Sequence, residues 1–425
     1  MKKFYIMLAA LGVTASMAAQ QLPNAGFDAD WADCIPWTSD GNTKVATQKI
    51  GEETVTAQNP SNWTISHVIG MGGTGATVVG SKVDGKESSS AVRIFNSANP
   101  FMSTQKVPGY LTLGTTWSTA KAVFSFGIKV QDMDGGTFGG IEFDKRPDAV
   151  SFDYKRAHGT VNATEQATIV AYSWKGTYTQ ANVPGNIKLN SNPTVTTMTD
   201  RDRNILNMDT PTGGKKSATP DAKCISKINY ALTGDAAEWT NKTIDFEYLE
   251  AEKPEKFNII FAAGDYWSTS PGDGNELIVD NVKLVYYSRL SGLQFKDADV
   301  PGFDPDKFAY QLDEVMPDDD TDIKATTLGN SGVAEAAIEL DHQKSLAKIT
   351  VTNAHGNDAD GQNSHVYTVQ FLPAGSSIND VIDMTTADVR YVDLYGNAVA
   401  ADALINGQTY IKLVNGKATK VIANN

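Results

Sequence analysis

A chain of 425 residues with 36 Lys and Arg against 50 Asp and Glu carries a formal charge of −14. That surface repels phosphate backbones, so nucleic acid is excluded as a partner while neutral ligands and cations stay open. An apolar content of 41% suits a globular protein of two or three domains, not a disordered or membrane chain.

The first segment, MKKFYIMLAALGVTASMAAQ, places two lysines before an apolar run and then the small residues Ser16-Met17-Ala18-Ala19. It reads as a signal peptide over residues 1–19, so the mature protein is expected to be secreted or held at the outer cell surface. The run is shorter than the roughly 20 residues a bilayer needs. No later stretch resembles a spanning helix, and no direct membrane insertion is expected.

Further along, apolar and polar residues alternate. AVFSFGIKV puts Ala122, Phe124, Phe126, Ile128 and Val130 on one face. Val150, Phe152 and Tyr154 alternate with Ser151, Asp153 and Lys155, and Ile244, Phe246 and Tyr248 with Asp245 and Glu247. KFNIIFAAG and ELIVDNVKLVYY follow, separated by the loop STSPGDGN. Period-two strands between Gly, Asn, Asp and Pro turns predict an all-β protein built from a jelly-roll or β-sandwich domain. No stretch shows sustained helical periodicity.

All seven tryptophans (Trp31, Trp37, Trp63, Trp117, Trp174, Trp239, Trp267) precede residue 290. That contrast predicts a large domain over residues 20–288, then a smaller β-sandwich over 291–373 that closes on VYTVQF. A short β tail, 376–425, contains RYVDLYGNAVA and QTYIKLVNGKATKVI, hairpin-like pieces with Gly-Asn and Asn-Gly turns. The two cysteines, Cys34 and Cys224, leave a disulfide and a pair of buried thiols equally open, because spacing does not show whether their Cα atoms approach.

Asp280 draws attention because period-two counting gives it one face with Ile278, Val282, Leu284 and Tyr286. A bare carboxylate on a core face is costly, so it needs amide donors, an arginine or a calcium ion. Asn24 and Asp28 are the expected further oxygen donors, making Asn24, Asp28 and Asp280 a candidate structural calcium site. A hydrogen-bonded aspartate at a bend is the plainer alternative. Trp267 with Tyr266 at the mouth of STSPGDGN, and Trp174 after TIVAYS, are candidate stacking surfaces for sugar rings, core filling being the alternative. Arg146, in Asp144-Lys145-Arg146-Pro147, offers a planar fork to a ligand or to an internal partner. Glu142, Asp144 and Asp153 lie close together, but no spacing singles out a catalytic pair of carboxylates. The five histidines (His67, His158, His342, His355, His365) form no HExxH or Ser-His-Asp pattern.

GTFGGIEFDKRPDAVSFDYKR (136–156) together with GNELIVDNVKLVYY (274–287) resembles the family known as the "putative carbohydrate metabolism domain" of exported Bacteroidetes proteins. The matching features are Asn24-Ala25-Gly26-Phe27 with Trp31, Phe143 with Arg146-Pro147, Tyr154-Lys155, and Gly274 through Asp280 to Tyr286. Asn275-Glu276 and a polar insertion around 185–223 depart from it. The resemblance implies a jelly roll similar to carbohydrate-binding modules, with some relatives labelled glycoside hydrolases, and it carries over no catalytic residue. Residues 291–373 resemble cadherin- or immunoglobulin-like repeats through Gly302-Phe303-Asp304, Tyr310, Ile349–Gly356 and Tyr367–Phe371. The tail is similar to type IX secretion sorting domains through Val392–Gly396, Gly407–Ile411 and Lys420-Val421, without their basic last residue. The expected function is an exported carbohydrate-binding protein that captures a glycan or polysaccharide without catalysis. A glycoside hydrolase and a surface adhesin are the alternatives.

Overall fold

The computed structural model describes residues 20–34, 45–69, 76–86, 90–99, 102–124, 128–160, 164–176, 187–189, 223–268, 271–372, 389–394, 397–414 and 417–423. The expected signal peptide, Trp37, most of the polar insertion and the start of the tail lie outside them. Among the described residues the regular structure is strand with short 3₁₀ turns, and the protein is all-β.

The large domain is a pair of antiparallel sheets packed face to face. Its strands are β1 (Thr64–Ile65), β2 (Gly80–Asp84), β3 (Ser90–Phe95), β4 (Tyr110–Thr112), β5 (Thr115–Phe124), β6 (Ile128–Phe138) and β7 (Ile141–Glu142). They continue as β8 (Ala149–Ala157), β9 (Ala167–Lys175), β10 (Lys223–Leu232), β11 (Ala236–Asp245), β12 (Glu247–Tyr248), β13 (Lys256–Ala262) and β14 (Glu276–Val285). One sheet runs β11-β8-β14-β3-β2; the other runs β12-β10-β9-β13-β4-β1, with β7 also paired to β13. Between them lies the main core, where Val150, Phe152 and Tyr154 of β8 and Val279 and Leu284 of β14 meet Ile169 and Ala171 of β9 and Phe257, Ile259 and Phe261 of β13. Phe152 meets Phe261 edge-on at 5.1 Å, a favoured aromatic geometry.

The strands of the two sheets are written differently. β8 alternates, because its outer face carries polar side chains, Ser151 and Lys155 partly exposed and Asp153 buried among hydrogen-bond partners. The opposite faces of β9 and β13 are also buried: Val170, Tyr172 and Trp174, with Ile260 and Ala262, join Tyr110, Tyr266 and Trp267 in a second apolar cluster. A strand buried on both sides reads as an apolar run, as TIVAYSW and FNIIFAA do. The β5–β6 hairpin meets this cluster where the Thr137 amide donates to the Tyr266 hydroxyl at 3.1 Å.

β14 carries the main departure from simple alternation. Its register against β8 slips between the Ser151↔Lys283 and Asp153↔Asp280 pairs, and Asn281 sits at φ 50°. This bulge adds a residue to β14, so Leu277 and Val279 face the core before it and Val282, Leu284 and Tyr286 after it. Asp280 therefore does not share the core face with Val282, Leu284 and Tyr286, correcting the uninterrupted count. Asparagine tolerates the left-handed conformation that the bulge requires.

By compactness the chain divides into two interleaved units: Met1–Phe308 with Asp322–Ile338 and Ile349–Tyr367, and Ala309–Thr321 with Glu339–Lys348 and Thr368–Asn425. Within the first, β14 leads into β15 (Leu290–Phe295), which pairs with β16 (Ala298–Asp299) and β18 (Ile323–Thr327). Asp148 accepts hydrogen bonds from the Tyr287 amide (2.9 Å), the Ser331 amide (3.0 Å) and the Asn353 side chain (3.3 Å). Gly329, at φ 96°, presses on this carboxylate; an added Cβ would fall 2.3 Å from Asp148 Oδ1. In the second unit β17 (Ala309–Leu312) pairs in parallel with Thr368–Phe371. The tail forms an antiparallel sheet in which the strands Val389–Val392 and Lys417–Ile422 flank Thr409–Val414. Cys34 and Cys224 are free thiols, pushed by burial to about 11 and about 12.

Candidate functional site

The aromatic and arginine candidates singled out from the sequence are held inside the protein. Trp174 and Trp267 are each 2% exposed and Tyr266 is fully buried. The Trp267 indole N–H is spent on the Asn229 side chain at 3.1 Å. These rings come together as one cluster on the covered face, not as a platform toward solvent. Arg146 stacks its guanidinium 4.2 Å from the Tyr248 ring and donates to the carbonyls of Ser331, Glu250 and Glu252. Its fork is thus occupied by backbone acceptors.

The proposed calcium ligands are likewise met by donors. Asp280 accepts from the backbone amides of Lys86 (2.8 Å) and Asn281 (2.7 Å). Asp28 accepts from the Ser90 amide at 2.8 Å, so Asp28 and Asp280 grip the two ends of the connection between β2 and β3. Asn24 spends its amide oxygen on Ala29 and its amide nitrogen on the Ser61 carbonyl. Amide donors supply the positive partial charge that a cation would bring. Among the described residues no group of three or more His, Cys, Asp or Glu side chains could hold a metal ion.

A polar pocket lies at one end of the sandwich, with a volume of about 320 Å³, lined by Arg156, His158, Thr164, Glu165, Gln166, Gly234 and Asp235. Three chain segments build it: the end of β8, the lead into β9, and the turn between β10 and β11, where Gly234 adopts φ 76°. Gly159, just after β8, lies so close to the Asp273 carbonyl that an added Cβ would fall 1.9 Å from it, so only glycine lets the chain pass.

The pocket's charged groups are fixed before any ligand arrives. The Arg156 side chain, 3% exposed, donates to the carbonyls of Gly234 and Glu165 and stands 3.6 Å from Asp235. Its buried Nε has no hydrogen-bond partner. Asp235 takes the His158 amide at 2.9 Å and the His158 ring at 2.5 Å, while both side chains remain nearly half exposed. Slight burial pushes the Asp235 carboxyl upward, but the His158 hydrogen bonds and the Arg156 charge outweigh it and hold the group below the usual range. Glu165 is shifted the other way: burial raises it, against hydrogen bonds from Gly272, Asp265 and Asn275. Asn275 also accepts the Gly159 amide at 2.6 Å, tying the loops together. The lining offers donors and acceptors side by side and no Phe, Tyr or Trp ring, which suits a neutral molecule rich in hydroxyls.

Sequence reasoning missed all four of these charged and titratable residues. Gly234-Asp235 and His158-Gly159 are visible as strand-end turns, but nothing local says that positions 77 apart meet. The structure also assembles a Ser-His-Asp chain that no local motif announced. Ser288 Oγ lies 2.8 Å from His365 Nδ1, and His365 Nε2 lies 2.8 Å from Asp360. Ser288 is fully buried, so its hydroxyl meets no substrate and the chain acts as a strut that ties the β14–β15 connection to the strand Ser364–Phe371.

No family model matches the chain, and no curated protein matches it. Among solved structures it is similar to a "putative glycoside hydrolase" from Bacteroides thetaiotaomicron, at 13% identity over 60% of this chain and 71% of that one, with a TM-score of 0.32. A protein of the same description from Bacteroides vulgatus is 12% identical over 60% of this chain and 97% of that one, at a TM-score of 0.33. Likeness this distant says nothing of the chemistry of the present pocket.

Proposed function

We propose that this protein is an exported glycan-binding protein that holds a sugar residue by hydrogen bonds in the pocket between Arg156, Glu165 and Asp235. One observation carries the reading: an open, polar pocket whose carboxylates and guanidinium are already oriented by backbone and side-chain partners. Fixed polar groups bind hydroxyls without first losing rotamer freedom. Export rests on the N-terminal segment. A glycan array with neutral saccharides tests the binding, followed by calorimetry on Asp235→Asn. Loss of one acceptor charge should weaken binding about tenfold or more, roughly 1.4 kcal/mol. A folded variant with the parent's affinity would reject the pocket.

A second reading has one observation in its favour. Glu165 is shifted up and Asp235 down, the divergence that separates an acid from a nucleophile or base in glycosidases. Against it, both Glu165 oxygens already accept N–H donors. Release of reducing sugar that Glu165→Gln abolishes would establish hydrolysis; a glycan bound and recovered intact supports binding alone.

A further inference from the structure

We infer that the outward face of the five-stranded sheet, with Trp239 as its platform, takes the body of an extended neutral polysaccharide whose terminal residue occupies the pocket. This inference rests on the glycan reading above and deepens it.

The face follows from register. On β8, Val150, Phe152 and Tyr154 point into the core, so Ser151, Asp153 and Lys155 point out. On β11, Ile244 packs against the core, so Thr243 and Asn241, opposite Ser151 and Asp153, point out; Trp239 sits in the register shift between the Tyr154↔Thr240 and Arg156↔Ala236 pairs, on the side of Lys155. Trp239 is only half-buried on a strand whose neighbouring Glu238 and Thr240 are exposed. The Lys155 ammonium lies 5.2 Å from its ring centroid. A large ring left on a watered sheet face needs a use, since burying it would be favourable. Trp174 and Trp267, by contrast, are sealed away.

The same face is furnished with polar side chains that order one another. Asn241 donates to Asp153 at 3.1 Å, Thr243 donates to Ser151 at 3.2 Å, and Lys86 and Asn281 also reach Asp153. Asp153 is buried and anchors this network, and beside the ring the exposed Asn241 and Thr243 with the half-buried Ser151 present oxygen and nitrogen atoms of both polarities to sugar hydroxyls.

Continuity with the pocket names the occupant. Lys155 directly precedes Arg156, and Ala236, which directly follows Asp235, stands opposite Arg156 in the ladder. Pocket and platform therefore sit on the same two strands, and a ligand leaving the pocket over the rim meets Trp239. The formal charge of −14 disfavours an anionic polymer and selects a neutral one.

The test uses the full chain and neutral glucan, mannan and galactan oligosaccharides graded from monomer to hexamer, measured by calorimetry for wild type, Trp239→Ala, Trp239→Phe and Asp235→Asn. Wild type should bind the hexamer more tightly than the monomer. Trp239→Ala should erase that gain, about tenfold or more, while monomer affinity stays within about twofold; Trp239→Phe should restore part of it. A hexamer advantage that survives Trp239→Ala in a folded protein overturns the inference and leaves the pocket standing. Loss of monomer and hexamer binding alike in Trp239→Ala also overturns it, because the ring would then serve the pocket. If Asp235→Asn changes nothing at any length, the pocket reading falls instead.

Discussion

The two sheets of the large domain share one core but have opposite outer faces. That of the seven-stranded sheet is a second core: Tyr110, Tyr172, Trp174, Tyr266 and Trp267 are all at most 2% exposed. That of the five-stranded sheet is polar and partly open, with Asn241 and Thr243 exposed, Ser151, Lys155 and Trp239 half-buried, and Asp153 buried among its hydrogen-bond partners. Aromatic content therefore does not locate a binding surface in this fold. What matters is whether the sandwich leaves the face uncovered.

Several experiments would break or sharpen that contrast. The largest effect is expected at the covered face. Trp267→Ala or Trp174→Ala should cost about 3–5 kcal/mol, read as a lower urea midpoint, because each leaves a cavity in a packed layer. A loss below about 1 kcal/mol would mean that the face is open.

Next comes a sealed histidine to set against the exposed His158. Burial pushes His67 down from its ordinary 6.5 to about 4, partly countered by its hydrogen bond to the Gln58 carbonyl. The folded state keeps the ring neutral while the unfolded chain protonates it. Its contribution is therefore complete above about pH 6.5 and lost progressively down to about pH 4, some 3 kcal/mol in all. Asp148 works the other way. Burial raises its carboxyl to about 6, so the folded state favours the acid form and loses stability as pH rises from about 4 to 6. The two slopes oppose each other. Urea melts across this range should show a steeper rise of stability with pH in Asp148→Asn, and a flattened or reversed one in His67→Gln.

Smaller effects are expected at the bulge and on the polar face. Asn281→Val should cost about 1–3 kcal/mol, since a β-branched residue resists φ 50°, whereas Asn281→Gly should be nearly neutral. Thermal melts of the pair separate backbone strain from loss of the Asn281–Asp153 hydrogen bond, which both variants share. Trp239→Ala should alter stability by no more than about 1 kcal/mol, because the half-buried ring lies on an edge strand beside Lys155. A large loss there would make it another core tryptophan.

Much of the architecture was legible because alternation is a local signal. SFDYK reads as a half-buried strand, and β8 is one. The unbroken runs TIVAYSW and FNIIFAA carry a signal of burial on both sides that the choice of Trp174 as a stacking surface overlooked. Asp280 was misplaced because counting by twos carries no warning of an inserted residue; Asp280-Asn281 was the only hint, through asparagine's tolerance of positive φ. Asp28 and Asp280 pointed to a cation because unpaired carboxylates demand positive charge, and amides of the β2–β3 connection met that demand instead.

From its own order of residues the chain determined that it would be β throughout, where most strands would run, and that it would carry a net negative surface. Those properties depend on neighbours in sequence or on simple sums. Which aromatic rings are sealed, which carboxylates find amides, and that His158 meets Asp235 beside Glu165 were decided only by tertiary packing. Each depends on surfaces brought together from distant parts of the chain.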